Sequence, residues 1–294
     1  MKAVYLKELR SYFTGSVAYA CYALMFMITG IYTWAVNIQG ASGSFESTIS
    51  STAFWLCILP VPLLTMRIFS EERKQKTDQL LYSLPLKTTQ VVMGKYFAAV
   101  TVLFIPVAVI GLYPVILSFF GNVNFATCYS TLFAFFLMSS ALLAVGVFIS
   151  SLTENQIVAA IGTAVIIFLN YFLPYFADYV SESAAAAAIF LVVIGLIIGF
   201  ITFLMTKNYI AGLLTTAVLD FLLILFYFIK SDVLEGLLPK VMSSISVFDS
   251  LDVFTGGVFD LTGIVFFVSI AGVFLFLTVQ SLEKRLTIKS QAPK

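Results

Sequence analysis

Three cysteines, a Gly-Lys pair and one isolated acid are the residues in this chain whose chemistry comes into question. Histidine is absent, which removes His-based triads, HExxH zinc sites and imidazole proton relays together. Cys21, Cys57 and Cys128 lie in or at the edge of apolar runs without CxxC spacing, so neither a disulfide framework nor a metal site is expected. Gly94-Lys95 is followed by Tyr96 and lacks the upstream glycine of a phosphate-binding loop. No GxSxG and no pair of intramembrane aspartates occurs. Asp220 is the one ionisable Asp, Glu, Lys or Arg inside the expected spans. An intramembrane acid is a candidate polar site, with Asn170 or a tyrosine as partner, or else a satisfied structural acid. No catalytic residue is assigned.

The remaining candidate is mechanical. Phe69–Lys95 is a long charged run inside an otherwise apolar chain, with Arg67 just before it. One charged side chain at the bilayer centre costs at least ~2.5–3.5 kcal/mol, so the run is expected to project from the membrane. Glu71 and Glu72 precede Arg73, Lys74 and Lys76, an order that suits a helix dipole. Leu80, Leu81 and Leu84 give the helix an apolar end, and Pro85 stops it. Such a tethered helix could pass a push from a soluble partner to the spans on either side.

The elements that hold it follow from composition. The 294 residues are 61% hydrophobic and only 11% charged, against roughly 25% charged for a soluble domain. The net charge of +1 gives no basic signal for nucleic acid. A span needs about 20 apolar residues. Val17–Val36, Ser51–Met66, Tyr96–Phe120, Phe125–Leu152, Ile157–Tyr175, Ala184–Met205, Tyr209–Ile229 and Leu261–Gln280 meet this. The expectation is an all-α integral membrane protein of about eight transmembrane helices. The first apolar stretch has no cleavage site and reads as a retained span. With the N-terminus inside, all of the 16 basic residues except Lys230 and Lys240 fall on cytoplasmic segments, as the positive-inside rule requires. Glu46, Asp178, Glu182, Asp232, Glu235, Asp249, Asp252 and Asp260 fall outside. Both termini are therefore expected in the cytoplasm of a multi-pass plasma-membrane protein.

The expected organisation is an interfacial amphipathic helix over 1–16, spans one and two over 17–66, a cytoplasmic loop over 67–95 and spans three to five over 96–175. Spans six and seven follow over 176–230, then an extracytoplasmic amphipathic or re-entrant segment over 231–260, the last span over 261–281 and a tail over 282–294. In the first helix Tyr5, Leu9 and Tyr12 share a face opposite Lys2, Lys7 and Arg10. Pro60, Pro62, Pro106 and Pro114 predict kinked spans. Thr153 and Gln156 have capping-box spacing for span five. Gly195 and Gly199, and the Ala159, Ala160, Gly162, Ala164 face, suit close helix packing or a dimer seam. Val241, Ile245, Phe248 and Leu251 recur at helical spacing in a helix expected to lie flat at the membrane surface.

Three pieces resemble the permease subunits of type-2 ABC exporters, and within them the gliding-motility-associated permeases. These are Glu72 with Thr77-Asp78-Gln79-Leu80-Leu81-Tyr82-Ser83-Leu84-Pro85-Leu86 and Gly94-Lys95-Tyr96; the Ser151–Gln156 turn; and Phe248-Asp249-Ser250-Leu251 with Gly256-Gly257-Val258-Phe259-Asp260-Leu261. The resemblance implies a six-span permease core, so that Ala184–Ile229 reads as an inserted hairpin. It implies that the first piece is a coupling helix seated in a separate ATPase subunit, with Glu71, Glu72, Arg73, Thr77, Leu80 and Leu81 in contact. ATP and magnesium would be bound by that partner and no cofactor by this chain. It also implies pairing with a second copy or a homologous permease, and export of a substrate that the sequence does not identify. The alternatives are an ATPase-independent secondary transporter or channel, which would carry repeats and several intramembrane polar residues, and an intramembrane enzyme, which would need convergent catalytic groups.

Overall fold

Long apolar runs punctuated by Gly, Pro and Asn fold here into helices whose ends sit at the punctuation. The computed structural model describes residues 1–75, 87–179, 183, 192, 236–257 and 259–291, and all regular structure among them is helical. Helix α1 (Lys2–Thr14) ends at Gly15, which is extended. α2 (Val17–Tyr32) runs into a π-helix, Thr33–Gln39. α3 (Phe45–Ile58), α4 (Pro60–Thr65) and α5 (Ser70–Lys74) form one broken rod. α6 (Thr88–Ile110) contains Pro106, and α7 (Tyr113–Leu117) starts beside Pro114. α8 (Phe125–Leu152) is capped by the Asn124 side chain. α9 is Gln156–Tyr179, α10 Leu237–Ile245, α11 Asp249–Thr255 and α12 Leu261–Gln291.

Among the described residues six helices are long and apolar enough to cross a membrane: Val17–Gln39, Phe45–Lys74, Thr88–Leu117, Phe125–Leu152, Gln156–Tyr179 and Leu261–Arg285. The expected pair Ala184–Met205 and Tyr209–Ile229, its Gly195/Gly199 motif and Asp220 lie outside the described residues. The second span starts at Phe45 rather than Ser51. Its polar opening is compatible with an apolar setting because Thr52 donates back to the Thr48 carbonyl at 2.7 Å and Thr48 donates to Asn37 Oδ1 at 2.8 Å. The third helix starts at Thr88 rather than Tyr96, so the cytoplasmic loop expected over 67–95 is shorter at both ends. The last helix continues to Gln291 instead of ending at Gln280.

The chain divides into two compact units, Met1–Asn170 with Ser250–Lys294, and Tyr171–Asp249. In the first, α8 is the central rod and packs against α3, α4, α6 and α12. Phe135, Met138, Leu142 and Leu143 on it are buried. Gly146 gives α4 its close approach: a Cβ there would stand 2.8 Å from the Thr65 Cβ and Cγ2. Arg285 on α12 donates to the Leu152 carbonyl at 2.6 Å, covering an end group of α8. In the second unit Tyr171 meets Phe248 edge-on, with centroids 5.2 Å apart. The single flat helix expected to carry Val241, Ile245, Phe248 and Leu251 is instead two short helices, α10 and α11, broken at Ser246, whose ψ of 121° is extended. The Ser246 hydroxyl then accepts the Asp249 N–H at 3.3 Å at the start of α11.

Candidate functional site

Helix α1 packs along α6. Gly94 opens the room, since a Cβ there would meet Val4 Cβ at 3.2 Å and the Met1 carbonyl at 3.3 Å. Val4 and Tyr12 are buried, whereas Leu6 remains exposed. Tyr5 OH lies 3.1 Å from Thr101 Oγ1 on α6. Tyr12 OH donates to the Leu64 carbonyl at the end of α4, at 2.7 Å. Burial pushes the Tyr12 phenol well above its ordinary range, so it stays protonated and able to donate.

Three elements then converge on one amino group. Lys95, on the first turns of α6, is 1% exposed. Its Nζ lies 2.8 Å from Glu8 Oε1 on α1 and 2.9 Å from Glu72 Oε2 on α5. It also donates to the Ile68 carbonyl at 2.8 Å and lies 5.2 Å from the centroid of the Phe69 ring. Glu72 accepts a second cation through its other oxygen, Lys7 Nζ at 2.9 Å. Partial burial pulls the Lys7 ammonium down, but hydrogen bonds and charge from Glu72 and Glu8 outweigh it and hold it above its ordinary value. Two carboxylates and two ammoniums thus compensate one another, which is the condition under which charges tolerate burial.

The approach to α5 is held from a further direction. Ser150, near the end of α8, accepts the Phe69 and Ser70 N–H groups at 3.2 and 3.4 Å through its hydroxyl oxygen. These are among the donors that a helix start leaves unsatisfied. Arg67 forms a fork on Glu71, 2.6 and 3.1 Å, and Gln75 reaches the same carboxylate at 3.4 Å. A polar cleft of about 300 Å³ lies among Glu8, Tyr12, Arg67, Glu71, Glu72 and Lys95.

The residues expected to touch a partner are therefore placed as follows. Glu71 is a third exposed or less and paired with Arg67. Glu72 is 15% exposed and tied to Lys7 and Lys95. Arg73 is buried. Thr77, Leu80, Leu81 and Asp220 lie outside the described residues, and Asn170 is half-buried on α9. Sequence reasoning missed Glu8, Lys95 and Ser150. Lys95 carried a signal: a cation a few residues into a helix-forming apolar run requires a counter-charge. The capping of α9 also differs. Asn155, not Thr153, accepts the Ile157 N–H at 2.9 Å, while Thr153 accepts that of Asn155 at 3.1 Å. Asn155 stands immediately before the helix, where its carboxamide reaches that donor. No group of three or more His, Cys, Asp or Glu able to hold a metal occurs among the described residues. What the cluster offers is a tie: the Glu72 carboxylate on α5 is shared between Lys7 on α1 and Lys95 on α6.

Residues 22–153 match the family model described as ABC-2 family transporter protein. That match, together with the six membrane-span-capable helices, supports a type-2 ABC permease, a multi-pass membrane protein of the transport class. The matched segment runs from within α2 to the end of α8 and holds Glu72, Lys95 and Ser150. No curated protein and no solved structure matched the chain.

Proposed function

We propose that this chain is the membrane subunit of an exporter driven by separate cytoplasmic ATPase subunits, and that the segment following α5 is its coupling helix. Two permease copies, or this chain and a homologous one, would enclose the substrate path. The observation that carries the reading is the Lys95 cluster. It ties the base of the charged segment to α1 and to the third span, so that a push on the segment reaches the bundle. Each extra contact at Glu8, Lys7 and Ile68 stiffens that path. ATP and magnesium belong to the partner, and closure of two ATPases would move the paired segments together.

Because Glu72 and Arg73 are turned inward, we assign the ATPase contact to Leu80 and Leu81, with Glu71 and Thr77 as further contact residues. Leu80→Glu with Leu81→Glu should abolish recovery of a stoichiometric ATPase subunit with the tagged permease. The melting temperature of the isolated permease should be unchanged. Unaltered ATPase recovery and transport in that variant, or cargo movement by the purified chain alone, would refute the reading.

A further inference from the structure

At the end of the bundle remote from Lys95, the first and second spans meet along a seam of uncharged polar side chains. The buried face of the first span reads Cys21, Met25, Thr29, Thr33, Asn37, in steps of four. A step of four overshoots an α-turn of 3.6 residues, so a straight helix would rotate these positions off the face. The wider π-turn over Thr33–Gln39 compensates, and π-turns recur at functional positions. Asn37 is 6% exposed. It donates to the Ser42 carbonyl at 2.9 Å and accepts from Thr48 at 2.8 Å, which leaves one amide hydrogen and one lone pair unspent. The antiparallel register that pairs residue 37 with residue 48 places Thr33 level with Thr52.

Thr29 and Thr33 are 0% and 7% exposed, and neither hydroxyl has a protein partner. Thr52, Thr65, Thr131, Thr163 and Thr278 instead return their hydroxyls to the carbonyl four residues back. An unpartnered hydroxyl inside a bilayer costs roughly 1–3 kcal/mol, so two in succession on one face point to a ligand group that satisfies them. At the Asn37 end of the seam, one helical turn beyond Thr33, lies a cavity of about 250 Å³, walled by Asn37, Ile38, Ser42, Leu117 and Phe120. Thr29 lies eight residues below Asn37, about 12 Å at the helical rise.

We propose that this seam is a binding track for the head of a neutral amphiphile, a hydroxyl-, ester- or amide-bearing lipid-like molecule, entering from the cavity and reaching mid-membrane at Thr29. The wall residues Leu117 and Phe120 take its apolar part; Asn37, Thr33 and Thr29 exchange hydrogen bonds with its head. The seam carries no charge, so an ionised head would stay uncompensated. As a statement about cargo, the proposal rests on the transport reading above; as a binding site it does not.

The test is thiol accessibility in the full chain, reconstituted in phosphatidylcholine vesicles opened to both faces. A membrane-impermeant trimethylammonium methanethiosulfonate is the reagent. The native Cys21, Cys57 and Cys128 are buried, and the unsubstituted chain gives their background. Thr33→Cys should label at a rate near that of Ser42→Cys in the loop, and far faster than Ile31→Cys on the lipid-facing side. Monoolein in the bilayer should slow Thr33→Cys by the occupancy factor, roughly fivefold at four times its dissociation constant, while oleate at the same mole fraction should not. Labelling no faster than Ile31→Cys would reduce the seam to dry packing between helices and overturn the proposal. Absence of protection by monoolein, or equal protection by oleate, would overturn the ligand class. Should Thr33→Cys fail to fold, Thr29→Cys is read against the same two comparators. None of these rates requires an ATPase, so a chain that labels as stated yet moves no cargo even with its ATPase partner and ATP supplied refutes the transport reading and leaves the site standing.

Discussion

Replacing Lys95 by methionine removes the cation that three elements share while keeping a side chain of similar length. Each of its contacts with Glu8 and Glu72, at 2.8 and 2.9 Å, is worth about 6 kcal/mol of gross attraction at an effective dielectric near 20. Desolvation and the mutual repulsion of the carboxylates take most of that back. What remains after the substitution is two carboxylates, 12% and 15% exposed, with only the half-solvated Lys7 to balance them. Breaking a buried pair by removing one partner costs about 3–5 kcal/mol. At about 2–4 °C per kcal/mol, melting should fall by roughly 6–20 °C. Glu72→Gln should cost less, about 1.5–3 kcal/mol, because the amide still accepts a hydrogen bond. The double variant Lys95→Met with Glu72→Gln should recover part of the loss, with a coupling energy near the upper end of about 0.5–3 kcal/mol. The assay is thermal unfolding in detergent by intrinsic fluorescence, with all four chains measured under one condition. Refutation is direct: melting of Lys95→Met within about 2 °C of the parent, a shift worth under roughly 1 kcal/mol, or additive single effects, means that the cluster does not hold α1, α5 and α6 together.

Three further outcomes are expected. Gly146→Ala should destabilise by about 1–3 kcal/mol through overpacking, since the new methyl would stand 2.8 Å from Thr65 carbons; Thr65→Ala should relieve part of it, and melting of the single and double variants checks this. Ser150→Ala strips the acceptor from the Phe69 and Ser70 N–H groups. It should cost about 1–3 kcal/mol and hasten amide exchange at those two positions, at the start of α5, ahead of the amides of α8. Asp260 caps α12 by accepting the Thr262 N–H at 2.8 Å, and that backbone hydrogen bond holds its carboxyl below the ordinary 3.8. The folded value is the lower one, so the contribution is complete above pH 3.8 and is lost as pH falls through the lowered value. In Asp260→Asn this part of the acid dependence of melting should vanish.

Where the physics is local, the sequence displays it. Phe125–Leu152 is expected and observed with the same ends, because an unbroken apolar run lies between the Asn124 cap and Thr153. The opening of the second span, before Ser51, was obscured by polar residues such as Thr48, whose hydroxyl is hidden by a bond to Asn37 that hydropathy does not register. The third was cut short at Lys95 because a lysine reads as the end of an apolar run unless its counter-charges are known. Those counter-charges come from Glu8, 87 positions away, and from Glu72 on α5. No spacing rule reaches that far. The acids-first order of the charged run was legible, but the inward turn of Glu72 depends on Lys7 of α1 and Lys95 of α6, which composition alone could not dock. Asn155 rather than Thr153 caps α9 for a smaller reason: both types can cap, and only the backbone path decides between them.

The bond between Glu8 and Lys95 has a consequence for synthesis. Helix α1 is synthesised well before its anchor, which is made 87 residues later. At about 5–20 residues per second that is a wait of roughly 4–17 s. Through that interval the nascent chain carries α1 undocked while two spans are already being inserted. Truncating synthesis before residue 95 should therefore leave α1 open to protease, and extending it through the end of α6 should close it.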